Sequence, residues 1–117
     1  MGQKYHTSSS RALKSYVEAK EQYDFLYFDK AEKSLKESLS YDRKFYEAHI
    51  LLGELLFSTR RYSESAVHYR EAVKIDSLFY KPVFFNLANA EMMSGDYAGA
   101  LIHFRIYLDL NTLSDKN

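Results

Sequence analysis

The chain of 117 residues contains no cysteine, no tryptophan, one proline and four glycines. Without cysteine, neither a disulfide framework nor a thiolate zinc site can form. So little proline and glycine leaves almost no turn punctuation for a many-stranded β fold. Charge of either sign is also missing in excess. Sixteen basic residues balance sixteen acidic ones, so no long-range field draws the chain to nucleic acid or to an anionic membrane. No apolar run approaches the roughly 18–20 residues of a membrane helix. The longest, Ile50–Phe57, is interrupted by Gly53 and Glu54, and direct membrane insertion is not expected. The opening Met1-Gly2-Gln3-Lys4 carries no apolar signal segment and His6 spoils a myristoylation pattern.

What the chain has in plenty is aromatic: 11 Tyr and 8 Phe, within 46% hydrophobic residues. That content excludes disorder. It also repeats. Tyr46–Phe79 aligns with Lys81–Ser114 at an offset of 35, which places Leu52 on Leu87, Gly53 on Ala88, Tyr62 on Tyr97, Ser65 on Ala100, His68 on His103 and Tyr69 on Phe104. A step of 34 backward puts Ala19, Phe28, Ala31, Leu35, Ser38 and Asp42 at the equivalent places. Three copies therefore fill the chain from Ala12 onward, about 12–45, 46–79 and 80–114.

Each copy reads as two helices. Leu51, Leu52, Leu55 and Leu56, and then Ala66, Tyr69, Ala72 and Val73, recur at helical spacing. Short turns at Leu26-Tyr27, Thr59-Arg60-Arg61 and Ser94-Gly95-Asp96 separate the halves, with Gly95 suited to a left-handed helix end. Ala19, Gly53 and Ala88 stand opposite Ala31, Ser65 and Ala100, so paired backbones can cross closely, with Leu35, Tyr69 and Phe104 filling the space beside them. The expected fold is all-α: six antiparallel helices in a short right-handed superhelix. It forms one domain over 10–117, after a flexible leader at 1–9. Most aromatics are expected to be packing material between helices.

This pattern resembles the tetratricopeptide repeat. The second copy matches its signature best, through Leu52, Gly53, Leu56, Ser65, Tyr69 and Ala72. The third keeps Phe84, Leu87, Ala88, Ala100 and Phe104 but carries Glu91 and Tyr107 at two signature sites. The first retains Ala19, Ala31, Leu35 and Ser38.

No catalytic motif is present: no GxSxG, P-loop, HExxH or dinucleotide turn. The chain is read as a non-enzyme with no cofactor and no metal. His68 and His103 are expected to be solvated residues copied by repetition, His49 a satisfied core residue, and His6 part of a mobile polar leader. Carboxylate pairs such as Glu18/Glu21 read as solvated helix faces.

The resemblance implies a concave face lined by the first helix of each repeat, where a protein or peptide segment would lie. Its candidates are Tyr16, Lys20 and Tyr23 from repeat one, Ile50, Glu54 and Phe57 from repeat two, and Phe85, Asn89 and Met92 from repeat three. Family members that clamp a carboxylate tail use Lys, Arg and Asn at positions matching Tyr16, Lys20, Leu51, Pro82 and Asn86 here. Only Lys20 among these is a cation, so a two-carboxylate clamp is absent.

The last repeat presents Leu101 and Leu108 outward, although solenoids need a polar end. Two explanations are expected: a longer parent protein, or a homodimer through these end faces. More narrowly, Ala12-Leu13-Lys14-Ser15-Tyr16, Phe28-Asp29-Lys30-Ala31-Glu32, the Phe79–Pro82 junction and the run His103–Asn111 are similar to one group of repeat modules. Those modules precede β-propeller and outer-membrane-protein-A-like domains in Bacteroidetes cell-envelope proteins. A periplasmic, outer-membrane-associated location follows from that similarity, with the cytoplasm as the alternative.

Overall fold

The computed structural model describes residues 5–115. Among them are six helices and no strand: α1 Ser10–Asp24, α2 Phe28–Tyr41, α3 Tyr46–Ser58, α4 Tyr62–Ile75, α5 Val83–Ser94 and α6 Tyr97–Asp115. Consecutive helices pair as three antiparallel hairpins stacked in order, a short solenoid of three repeats. Among the described residues no helix is long and apolar enough to cross a membrane.

Local chemistry sets the boundaries. Ser9 caps α1 by accepting the Ala12 N–H at its hydroxyl, the favoured role of serine at a helix start. Within each hairpin the first helix ends in the same way. Leu26, Arg60 and Gly95 occupy equivalent positions and all have positive φ, at 64°, 64° and 95°. The residue after each then donates its N–H five residues back: Tyr27 to Gln22, Arg61 to Leu56 and Asp96 to Glu91, each at 2.8 Å. This closes the helix by a Schellman bond. Only the third turn uses the glycine that the geometry favours. Asp42 and Asp76 end α2 and α4 in extended conformation, and their carboxylates accept the backbone N–H of Lys44, or of Leu78 and Phe79. Asn111 stands at the equivalent place in the third repeat, and α6 runs through it.

The hairpins cross where side chains are small. Ala19, Ala31, Ser65 and Ala88 have no exposed surface, and Ala100 almost none. The Ser65 hydroxyl donates to the Gly53 carbonyl at 2.7 Å, and the Ser38 hydroxyl to that of Ala12 at 2.7 Å. A Cβ on Gly53 would lie 3.0 Å from the Tyr69 ring. Around these crossings Leu35, Phe45, Leu52, Leu55, Leu56 and Leu87 form the core.

The aromatics divide, and Tyr5, Tyr23, Phe28, Phe57 and Tyr107 pack half-buried against the core. Tyr16, Phe45, Tyr46, Tyr69 and Phe84 are buried, while Phe25, Tyr27, Tyr41, Phe79, Tyr80, Phe85 and Tyr97 are exposed. A 3.6-residue period buries only one stripe of each helix, and several of these residues lie off that stripe or in turns. Residues 5–9 of the expected leader make contacts with the repeats; residues 1–4 lie outside the described residues. Tyr5 packs edge-on against Tyr16 and Phe45, and the Thr7 hydroxyl, itself buried, bonds the Asp42 carboxylate. His6 is held between Glu47 and Asp76, at 3.0 and 2.9 Å. The polar side chains that made the leader read as mobile find partners on three different elements.

Candidate functional site

The first helices of the three repeats, α1, α3 and α5, share a face that carries two adjoining hollows. The larger, about 240 Å³, is walled by Tyr16 and Lys20 from α1, Tyr46, Ile50 and Glu54 from α3, and Phe79 and Tyr80 from the α4–α5 loop. The second, about 210 Å³, lies farther along and is walled by Tyr23, Phe57, Ser58, Tyr69, Asn86 and Asn89. Glu54 lines both. The first hollow is largely apolar; the second carries amides and hydroxyls beside its rings.

Seven of the nine expected groove residues are therefore brought together: Tyr16, Lys20, Tyr23, Ile50, Glu54, Phe57 and Asn89. Phe85 and Met92 line neither hollow. Phe85 is turned toward α6, its ring 5.6 Å from that of Phe104 and 5.3 Å from that of Tyr107. Met92 is exposed. Sequence reasoning overlooked Tyr46, Phe79, Tyr80 and Asn86. The aromatic cluster Phe79-Tyr80 just before Pro82 was visible as a signal, but only folding shows that the linker turns back over α3.

The electrostatics of the face centre on Glu54. Burial raises its carboxyl pKa, and the charge of Lys20 offsets this in part. Glu47, at the other end of the larger hollow, is occupied. It accepts the His6 backbone N–H at 3.0 Å on one oxygen and faces the His6 ring on the other. That ring also packs against Tyr46 and Phe79, at centroid distances of 4.7 and 4.6 Å. The leader thus braces three residues that wall the hollow. Burial works to lower the His6 pKa, and the hydrogen bonds and charges of Asp76 and Glu47 more than reverse it, so the net shift is upward. The Tyr46 hydroxyl is buried without a hydrogen-bond partner among the described residues.

The remaining histidines are not solvated copies. His68 stands Nδ1 to Nδ1 with His49 at 3.1 Å. His103 Nδ1 is 2.7 Å from Glu91, a buried carboxylate that Arg70 of α4 also approaches at 3.4 Å. Glu91, which departs from the family signature, thereby ties α4, α5 and α6 together. Position on a helix was readable for these residues; the facing helix that supplies each partner was not. Among the described residues no three His, Cys, Asp or Glu side chains stand together as metal ligands.

At the far end, Leu101, Ile102 and Leu108 of α6 are 66%, 58% and 62% exposed. One repeat earlier the equivalents of Leu101 and Leu108 are Ala66, buried, and Val73, packed into the core beneath α5.

The sequence profile of the tetratricopeptide repeat matches residues 12–78. No curated protein matches the chain. Among solved structures, the chain is similar to MamA at TM-score 0.83 and 16% identity, over 92% of this chain and 63% of that one. It is similar to the second repeat domain of Spaghetti (RPAP3), solved bound to the HSP90 peptide SRMEEVD, at TM-score 0.77 and 14% identity, over 85% and 91% of the two chains. It is also similar to the Yersinia enterocolitica type III secretion translocator chaperone SycD, in an alternative dimer, at TM-score 0.75 and 20% identity, over 93% and 87%. At such identities the likeness is one of fold.

Proposed function

The chain belongs to the tetratricopeptide repeat family, and from that premise we propose that it is a non-catalytic interaction module that holds an extended protein segment along α1, α3 and α5. The observation that carries this reading is the pair of adjoining hollows, which meet at Glu54 and run across three repeats. An apolar wall beside convergent amides and hydroxyls is what a peptide needs: pockets for side chains and partners for its backbone. The fold neighbour solved with SRMEEVD supports a peptide-holding use of the fold.

The test is selection from a random-peptide phage library, followed by mapping of a winning synthetic peptide by amide chemical-shift changes. Shifts confined to residues of the two hollows are expected. Replacing Ile50 and Tyr80 with Ser should remove binding while helicity stays intact. Binding that survives this double change, or shifts mapping to α2 and α4, overturns the groove.

A second reading concerns the uncovered end. Leu101 and Leu108 are exposed at the two positions that, one repeat earlier, hold Ala66 and Val73 in the core. Self-association through this face is the alternative activity. Leu101→Lys with Leu108→Lys should leave the chain monomeric in light scattering at concentrations where the parent associates, and leave peptide binding in the groove unaffected.

The setting we propose is a larger cell-envelope protein, periplasmic and associated with the outer membrane. Its support is the sequence similarity of Ala12–Tyr16, Phe28–Glu32, Phe79–Pro82 and His103–Asn111 to such modules. Detection of the parent protein in a periplasmic or outer-membrane fraction supports it; detection in the cytosolic fraction alone overturns it.

A further inference from the structure

Glu54 is the one carboxylate shared by both hollows, and its situation differs from that of its neighbours. Glu47 has both oxygens engaged by His6. Among the described residues Glu54 has no hydrogen-bond partner: desolvation acts on its charge, and Lys20 is the charge that answers it. Lys20 is itself exposed, so water screens it and it contributes little to holding a partly buried anion. A desolvated carboxylate without a close partner is costly, and a cation brought against it recovers that cost. Beside it lies the apolar hollow of Tyr16, Tyr46, Ile50 and Phe79.

The geometry points to a basic–apolar occupant: a peptide segment in which a Lys or Arg side chain meets Glu54 and a large apolar side chain fills the hollow beside Ile50. The inference rests on the groove reading above and narrows it to one ligand chemistry. The spacing can be stated. Ile50 and Glu54 are one helical turn apart, about 6 Å along α3. In an extended peptide, residues i and i+2 point to the same side and lie about 6.6 Å apart. The matching pattern is an apolar residue and a basic residue separated by one position, in either order. An acidic peptide such as SRMEEVD, held by the fold neighbour, would bring like charge to Glu54 and find Lys20 as the cation lining the hollows.

Selection from the random-peptide phage library should enrich that pattern. The winning peptide, synthesised, should lose about tenfold or more in affinity when its basic residue becomes Gln, and a similar factor against Glu54→Gln. The two changes together should cost little more than either alone, because each removes the same contact. Glu54→Lys should reject the parent peptide and accept its Lys→Glu counterpart. Circular dichroism of each variant confirms that the fold is kept.

Enrichment of acidic or uncharged peptides, or an affinity indifferent to Glu54→Gln, overturns the basic–apolar assignment; the groove reading survives if Ile50→Ser with Tyr80→Ser still abolishes binding. Peptides that bind independently of both sets of changes, or a selection that yields no binder, overturn the groove and this inference together.

Discussion

His49 and His68 face each other Nδ1 to Nδ1 at 3.1 Å, and the backbone decides which of them donates. His49 Nε2 lies 2.9 Å from the Arg43 carbonyl, which can only accept. That nitrogen therefore carries a proton, and a ring with one proton has its lone pair at Nδ1, into which His68 donates. The pair links α3 to α4 in the middle repeat and leaves little room for charge.

Burial first, then His49 and Lys36, push the His68 pKa down to about 4 from 6.5. The unfolded chain takes up this proton as the pH falls through 6.5, whereas the folded chain refuses it until about 4. The stability contribution is therefore complete above the unfolded value and is lost as pH falls through that window. Urea midpoints measured across this range should decline with acidification. His68→Gln, which keeps a donor for His49, should flatten the decline. An unchanged slope would remove His68 as its cause.

His6 has the opposite sign. Its folded pKa is raised, so its contribution is full below 6.5 and fades as the pH rises through the folded value. A ring titration by NMR should give a midpoint above 6.5. His6→Ala should shift the aromatic resonances of Tyr46 and Phe79, which the His6 ring touches, and leave those of Phe85 in place. A normal midpoint, or silent Tyr46 and Phe79 signals, would show that the leader does not dock.

Leu26 and Arg60 hold left-handed backbone at φ 64°, which costs a residue with a Cβ about 1 kcal/mol or more. Leu26 is 70% exposed and gives up little burial when replaced. Leu26→Gly should raise stability by roughly 0.5–1 kcal/mol, the strain relief less the extra chain entropy of glycine. Gly95→Ala, at φ 95° in open space, should lower it by about the same. Chemical denaturation reads both, and equal signs would refute the shared turn geometry.

Gly53 leaves little room at its crossing. An added Cβ would meet the buried Tyr69 ring at 3.0 Å. Overpacking of this kind costs about 1–3 kcal/mol, against about 1 kcal/mol returned by alanine's better helix propensity. Gly53→Ala should therefore destabilise by roughly 1 kcal/mol net, and Tyr69→Leu in the same chain should recover part of it. A stabilised Gly53→Ala would mean that the ring gives way freely.

Repetition was the most legible feature, because each hairpin must bury the same stripe and so places small residues at Ala19, Gly53 and Ala88 in turn. The concave face was legible in part for the same reason. A register carried from repeat to repeat finds Tyr16, Lys20, Tyr23, Ile50, Glu54, Phe57 and Asn89, but it assigns Phe85 and Met92 by position alone. It cannot know that Phe85 finds Phe104 and Tyr107 beside it. The leader precedes the first repeat, so His6 had no repeat position, while the register sets Phe79 and Tyr80 on Phe45 and Tyr46, which are buried, and so gave no hint that the later pair walls a hollow.

What the sequence by itself determined was the all-α hairpin series, through period, small crossing residues and the turns between helices. These depend on neighbours within one repeat, where chain distance and spatial distance agree. What only the tertiary structure decided was which charges and rings meet: His6 with Glu47 and Asp76, 41 and 70 residues away, Glu91 with Arg70 and His103, and Glu54 left with Lys20 at the meeting of two hollows. Those outcomes depend on how one repeat is seated on the next, and local sequence places no constraint on that seating.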